Sequence, residues 1–187
     1  MRFRIHLKKL KSEFEDYKDF VSMLMVELPV ADDSIRKIEE LLEQDENGYS
    51  EYKFDGYRAP FSELANIVSP TDSMTDINEL AKELELIGDD YYKQEVFSAL
   101  LEKFECDNIA KAIKISKMID DYEVLESDID DEYLLGIYLV DDLGLFEVPR
   151  NTICDYQAVG EEFWLHNDVF HSSYGYLCRK ADLERRI

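Results

Sequence analysis

A chain of 187 residues with 43 Asp and Glu against 21 Lys and Arg carries a formal charge of −22 at pH 7, while 45% of its residues are apolar. That apolar content, with only seven Gly and four Pro, excludes a disordered acidic tail and fits one medium domain or two to three small ones. The charge excludes nucleic acid and anionic membrane as ligands, since their phosphates repel it, and favours a cationic partner.

The first eleven residues hold Arg2, Arg4, Lys8, Lys9 and Lys11 and no acid. The next apolar run, "FVSMLMVELPV", is short and broken by Glu27. The expectation is therefore a soluble, cytoplasmic protein without a secretory, lipidation or membrane-spanning segment. Cys106, Cys154 and Cys178 are odd in number with no CxxC spacing. They read as free thiols in a reducing compartment.

In chain order, "FRIHL" and "FVSMLMVEL" have the composition and alternation of strands. "ADDSIRKIEELLEQ" puts Ile35, Ile38, Leu41 and Leu42 on one helical face, with Asp32, Asp33 or Ser34 as its N-cap and "DENG" as its stop. "YSEYKFDGYRAPF" alternates aromatics like a third strand, which completes a β-β-α-β domain over residues 1–61. Three amphipathic helices follow, in "DINELAKELELIG", "YYKQEVFSALLEKFE" and "NIAKAIKISKMID". The first is closed by Gly88 and the last capped by Asp107 or Asn108. They are expected to form one small bundle over residues 62–127. In residues 128–187, "DEYLLGIYLVDDLG" predicts a helix that turns at Gly144. "NTICDYQAVGEEFWL" predicts a short helix or turn and then a strand. "DVFHSSYGYLCRK" predicts a hairpin turning near "HSSYG". The fold class expected is α+β.

The chemistry of catalysis is missing. His6, His166 and His171 are scattered, and no H-E-x-x-H, G-x-S-x-G, phosphate-cradling or dinucleotide fingerprint occurs. Counted from Asp128, the calcium-loop template places Asp130 and Glu132 correctly but meets Tyr133 where Gly is needed. Counted from Glu43, it gains Asp45, Asn47 and Gly48 but ends on Phe54 where Glu is needed. No enzyme, metal or cofactor is expected.

What remains is "MIDDYEVLESDIDDEY", residues 118–133: Asp120, Asp121, Glu123, Glu126, Asp128, Asp130, Asp131 and Glu132 with no Lys, Arg or His among them. Asp89, Asp90, Asp141 and Asp142 add two further acidic pairs. Duplex DNA carries two charges per base pair, so −22 corresponds to roughly eleven base pairs of phosphate. Rigidly held carboxylates at that density suit a protein's DNA-binding channel, with summed attraction that is steep in salt. A solvated acidic face and a loose divalent-cation module are the plainer readings of the same charge.

A resemblance adds to this. "VELP" at 26–29, "YRAPF" at 57–61, "DINELAKELELI" at 76–87 and above all "LGLFEVPRNTICDYQAVGEEF" at 143–163 resemble the ArdA antirestriction family. Leu143, Gly144, Val148, Pro149, Asp155, Tyr156, Ala158 and Gly160 fall on the family's antirestriction motif. The chain departs from it by one extra residue after Leu143-Gly144, by Cys154 for Ile, by Val159 for Tyr, and by Glu161-Glu162-Phe163 for Arg-Asp-Leu. The resemblance implies an elongated three-domain homodimer joined through its C-terminal domains and carried by mobile elements into a bacterial cytoplasm. Its acidic side chains would stand in for DNA phosphates against the specificity and methyltransferase subunits of type I restriction–modification enzymes. A CRISPR effector, another defence system, a nucleoid protein or a repressor is the alternative target. By residue type, Val148, Pro149, Tyr156, Phe163 and Trp164 read as packing positions.

Overall fold

The computed structural model describes residues 2–10, 23–44, 50–69, 71–125, 128–146, 148 and 152–184. Among these, seven helices and two three-stranded antiparallel sheets form an α+β fold. The chain divides into two compact units, Met1–Asp89 with Cys106–Ser116 and Asp90–Glu105 with Lys117–Ile187.

The first unit is built on β1 (Phe3–Lys9), which lies between β2 (Met23–Leu28) and β3 (Tyr52–Arg58). Phe3, Ile5 and Leu7 are buried while Arg4, His6 and Lys8 face outward, the two-residue period that the sequence predicts. A register shift between His6 and Leu7 leaves Asp55 of β3 without a partner on β1. Helix α1 (Asp32–Leu42) buries Ile35 and Ile38. Its N-cap is Ala31, which supplies no side-chain bond. Asp32 and Asp33 lie inside the first turn instead, where carboxylates complement the helix dipole, so the expected cap is corrected. The expected "DENG" stop lies outside the described residues.

Helix α2 (Met74–Ile87) ends at Gly88 as its sequence predicts, and it starts at a cap, Ser73, that the sequence reading does not name. Ser73 Oγ accepts the Asp76 N–H at 3.0 Å, and Gly88, at φ +61°, donates its N–H to Leu84. Its buried Asn78 is satisfied by the two backbone groups of Val30, accepting from N–H at 2.8 Å and donating to C=O at 2.9 Å. Helix α4 (Ile109–Ser116) starts at Asn108, whose side chain accepts the Lys111 N–H at 2.9 Å, and it packs on α2.

The second unit has a sheet of order β4-β6-β5: β4 (Tyr122–Val124), β6 (Gly175–Arg179) and β5 (Val169–Ser172). The hairpin β5–β6 is where the sequence predicts it. Strand β4 is not; it lies within the acidic run and exists by pairing with β6. Helix α3 (Tyr91–Lys103) packs on all three strands. Its residues Val96–Leu101 are buried in succession, so it is enclosed on every side rather than on one stripe. Helices α2 and α4 fall in the first unit and α3 in the second.

The second core gathers Leu125, Ile129, Leu135, Leu139, Leu145, Phe163, Tyr176 and Cys178. Around it lie α5 (Glu132–Ile137), which runs on into a π-helical turn at Tyr138–Asp142, and α6 (Tyr156–His166), with α7 (Lys180–Leu183) against β6. The helix or turn followed by a strand that the sequence suggests for 151–165 is one continuous helix from Tyr156. Its cap is Asp155, whose carboxylate accepts the Ala158 N–H at 3.1 Å. All three cysteines are free, Cys178 being buried.

Candidate partner-binding surface

The acidic residues singled out in the sequence are divided between the two units. Asp89 is exposed in the turn that closes α2. Asp90 caps α3 by accepting the Lys93 N–H at 3.2 Å. Asp120 and Asp121 occupy an exposed 3₁₀ turn before β4, and Glu123 lies half-buried in that strand. Asp128 and Asp130 are exposed in the loop that follows; Glu126 lies outside the described residues. Asp131 caps α5 through the Leu134 N–H at 2.8 Å, and Glu132 is the first residue of that helix. Asp141 and Asp142 are exposed in the π-helical turn.

Two of these carboxylates, and Asp155 of the motif region, are held by backbone rather than by cations. Asp90, Asp131 and Asp155 each accept an N–H at a helix start, a charge-assisted bond that fixes the side chain yet leaves its charge intact. The Asp120 side chain lies 3.4 Å from Lys93 Nζ, and its carbonyl accepts from Lys180 Nζ at 3.0 Å. Asp121, Asp128, Asp130, Asp142 and Glu162 are exposed and make no ion pair among the described residues. Asp168, in contrast, is tied to the Lys103 ammonium and the Tyr122 hydroxyl, with Lys103 5.1 Å from the Tyr122 ring centroid. It joins α3 to β4 and belongs to the scaffold.

The crowding of anions is felt within the core. Burial, and then the charges of Glu132, Asp131 and Asp130, push the Tyr176 phenol up to about 12. Burial and Glu123 push the phenol of Tyr92 and the thiol of Cys178 up to about 12 as well. Burial is the first cause of all three shifts and neighbouring carboxylates the second; Tyr176 and Cys178 lie in the core, whereas Tyr92 is exposed.

The motif region has a different geometry from the acidic loop. Leu143 ends the π-helical turn, with Gly144 at φ +60° just beyond it. Tyr156 donates its hydroxyl to both Asp141 oxygens at 3.0 and 3.2 Å. Its ring meets Tyr133 edge-on at 5.9 Å. Gly160 is buried, Ala158, Glu161 and Glu162 are exposed, and Glu161 accepts from Gln157 Nε2 at 2.7 Å. Of the expected packing positions Phe163 is buried and Tyr156 half-buried. Trp164 and Val148 are exposed, against that expectation, although the Trp164 ring still meets the buried Tyr176 edge-on at 6.3 Å. Pro149 lies outside the described residues. Sequence reasoning missed Gly136, which faces α6 from the middle of α5; a glycine inside the apolar run "YLLGIYLV" was the available signal.

Among the described residues, no group of three or more His, Cys, Asp or Glu is placed to hold a metal ion, and no helix is long and apolar enough to cross a membrane. No curated protein sequence matches the chain. Residues 11–178 match the family described as antirestriction protein (ArdA), a stretch that leaves out β1 but takes in β2 to β5, all but the last residue of β6, the acidic loop and the whole of α5 and α6. The chain belongs to the ArdA antirestriction family.

Proposed function

We propose that the protein is a DNA mimic whose acidic surface occupies the DNA-binding site of type I restriction–modification enzymes, as a stoichiometric competitor and not as a catalyst. The observation that carries this reading is the set of exposed carboxylates from Asp120 to Asp142. Their charges lack compensating cations at most positions, and their side chains at Asp131 and Asp141 are fixed by donors of the fold itself. Cationic side chains that release counterions on meeting DNA would do so on meeting this surface. Ordering of the anions has already been paid for in folding.

The acting surface comprises Asp120, Asp121, Glu123, Glu126, Asp128, Asp130, Asp131 and Glu132, supported by Asp89, Asp90, Asp141 and Asp142. The protein works as a cytoplasmic homodimer. Ile153, Trp164 and Leu165, exposed in the second unit, supply apolar area for its interface. The target is the pair of subunits that grip DNA in the restriction complex.

The test is equilibrium competition. Purified protein and labelled duplex DNA compete for a type I enzyme across a series of salt concentrations. Mutual displacement, with an affinity that falls steeply as salt rises, is the expected result. A ternary complex of enzyme, DNA and protein, or full cleavage at saturating folded protein, overturns it.

A further inference from the structure

Helices α5 and α6 touch backbone to backbone. A Cβ added at Gly136 falls 1.8 Å from the Tyr156 carbonyl oxygen, and one added at Gly160 falls 1.8 Å from the Glu132 carbonyl oxygen. Glu132 opens α5 and Tyr156 opens α6, so the start of α5 lies on the middle of α6, the start of α6 lies near the end of α5, and the pair is antiparallel. Nonbonded carbon contacts are comfortable at about 3.5–4 Å. Any side chain at either glycine therefore drives the helices apart by roughly 1.5 Å.

Acids flank that contact in sequence. Asp131 precedes and Glu132 opens α5, where Glu132 meets Gly160, itself followed by Glu161; Asp155 precedes Tyr156, which meets Gly136. The Tyr156 hydroxyl reaches from α6 to the Asp141 carboxylate in the turn that continues α5. Close approach of two helices that both carry acids costs repulsion, and glycine within a helix costs about 0.5–1 kcal/mol against alanine. A fold in need of stability alone would gain from wider spacing and alanine.

We propose that Gly136 and Gly160, with Tyr156, are positioning residues that set the spacing of the carboxylates on α5 and α6 for the partner's cationic side chains. This rests on the DNA-mimic reading. The motif then acts as a spacer beneath the charged surface, and Gly160 matters for the side chain it lacks. Charge positions set in this way have to be held within about 0.5 Å to keep their match.

The experiment compares wild type with Gly136→Ala, Gly160→Ala, the double variant and Tyr156→Phe. Thermal unfolding and circular dichroism select folded protein, and competition with duplex DNA for a type I enzyme is measured against salt. Folded single glycine variants are expected to bind about tenfold more weakly, although no charge has changed. The double variant should be no weaker than the weaker single one, because the first added Cβ has already parted the helices. Tyr156→Phe keeps the ring and removes only the donor to Asp141; its expected loss is about threefold. Folded glycine variants with wild-type affinity overturn the proposal. If the glycine variants do not fold, wild-type affinity in Tyr156→Phe overturns it. Wild-type protein that fails to compete with DNA defeats the DNA-mimic reading itself, a separate outcome.

Discussion

The two units treat carboxylates differently. In the first, acids are answered by nearby cations: Glu27 by Arg2 and Arg4, Glu51 by Lys9, Asp33 by Arg36, Asp32 and Glu79 by Lys82, and Asp107 by Lys111. In the second, Lys93 answers Asp120 and Lys103 answers Asp168, but residues 118–178 contain fifteen Asp and Glu against a single Lys or Arg, Arg150. Asp131, Asp155 and Asp141 there accept from backbone N–H groups and a phenol, donors that stabilise an anion without cancelling it. The first unit pairs many of its acids with local cations, whereas the second leaves Asp121, Asp128, Asp130, Asp131 and Asp142 charged without one among the described residues. Only the second arrangement leaves a field for a cationic groove to grip.

The sharpest way to break this contrast is to neutralise four acids in each unit. Asp128→Asn, Asp130→Asn, Asp131→Asn and Glu132→Gln together should weaken competition with DNA by on the order of tenfold or more and flatten the dependence on salt. Asn at 131 preserves the helix cap, so the loss would be one of charge. Asp32→Asn, Asp33→Asn, Glu79→Gln and Asp107→Asn, drawn from paired acids of the first unit, should change affinity by less than about threefold. Equal losses in the two sets would show that net charge alone matters and that the contrast between the units has no functional weight. Any one neutralisation within the acidic loop should have little effect, because the attraction is a sum.

Alkaline titration probes the same patch from inside. The Cys178 thiol and the Tyr176 and Tyr92 phenols are raised by burial first and by neighbouring carboxylates second. A raised pKa contributes stability that is complete below the unfolded value, near 8.5 for Cys and 10 for Tyr, and vanishes as pH climbs through the folded value. The second unit is therefore expected to lose stability between about pH 8.5 and 12. Unfolding followed by tyrosinate absorbance should detect it. The variant carrying neutral residues at 130, 131 and 132 should ionise Tyr176 at lower pH than wild type, since one cause of the shift is gone.

Much of the first unit could be read directly from the sequence. The alternation of Phe3, Ile5 and Leu7 with Arg4, His6 and Lys8 is a local pattern, and so is Gly88 at the end of α2. The failures are non-local. "YEV" at 122–124 has no strand signal of its own and becomes β4 only by meeting β6 more than fifty residues later. The run over 151–165 suggests a short helix or turn and then a strand, with Phe163 and Trp164 as packing positions, whereas Asp155 starts one continuous helix that leaves Trp164 41% exposed. At the surface, the acidity was plain in the composition. Which carboxylates cap helices was not, for a cap is defined by the chain's path and not by residue type. Gly136 went unnoticed for the same reason: what it permits is contact with a helix distant in sequence.

Capping separates structure from charge at single positions. Asp155→Ala and Asp131→Ala should each cost about 1 kcal/mol, or roughly 2–4 °C in melting temperature. Asp155→Asn and Asp131→Asn should restore most of that stability without restoring the charge. If Asn fails to rescue the melting temperature, these aspartates serve the fold through their charge, and the division drawn between capping and partner binding is too simple.

The smallest expected effect concerns the face of the first sheet opposite Phe3, Ile5 and Leu7. There Arg4 lies directly across from Arg58 and Lys8 across from Lys53, like charges on adjacent strands in a chain with acids to spare. Glu27, bonded to Arg2 and Arg4, relieves only one end of this strip. Lys53→Glu converts the second like pair into an opposite one and should raise stability by about 0.2–1 kcal/mol, visible as a small rise in melting temperature at low salt that fades at high salt. Because the face is basic, it would be repelled by a groove built for DNA, so affinity for the restriction enzyme should stay within about twofold of wild type. Stabilisation without a change in affinity assigns the first unit to support and the second to binding. A marked change in affinity would place the basic strip in contact with the partner and make the first unit part of the recognition surface.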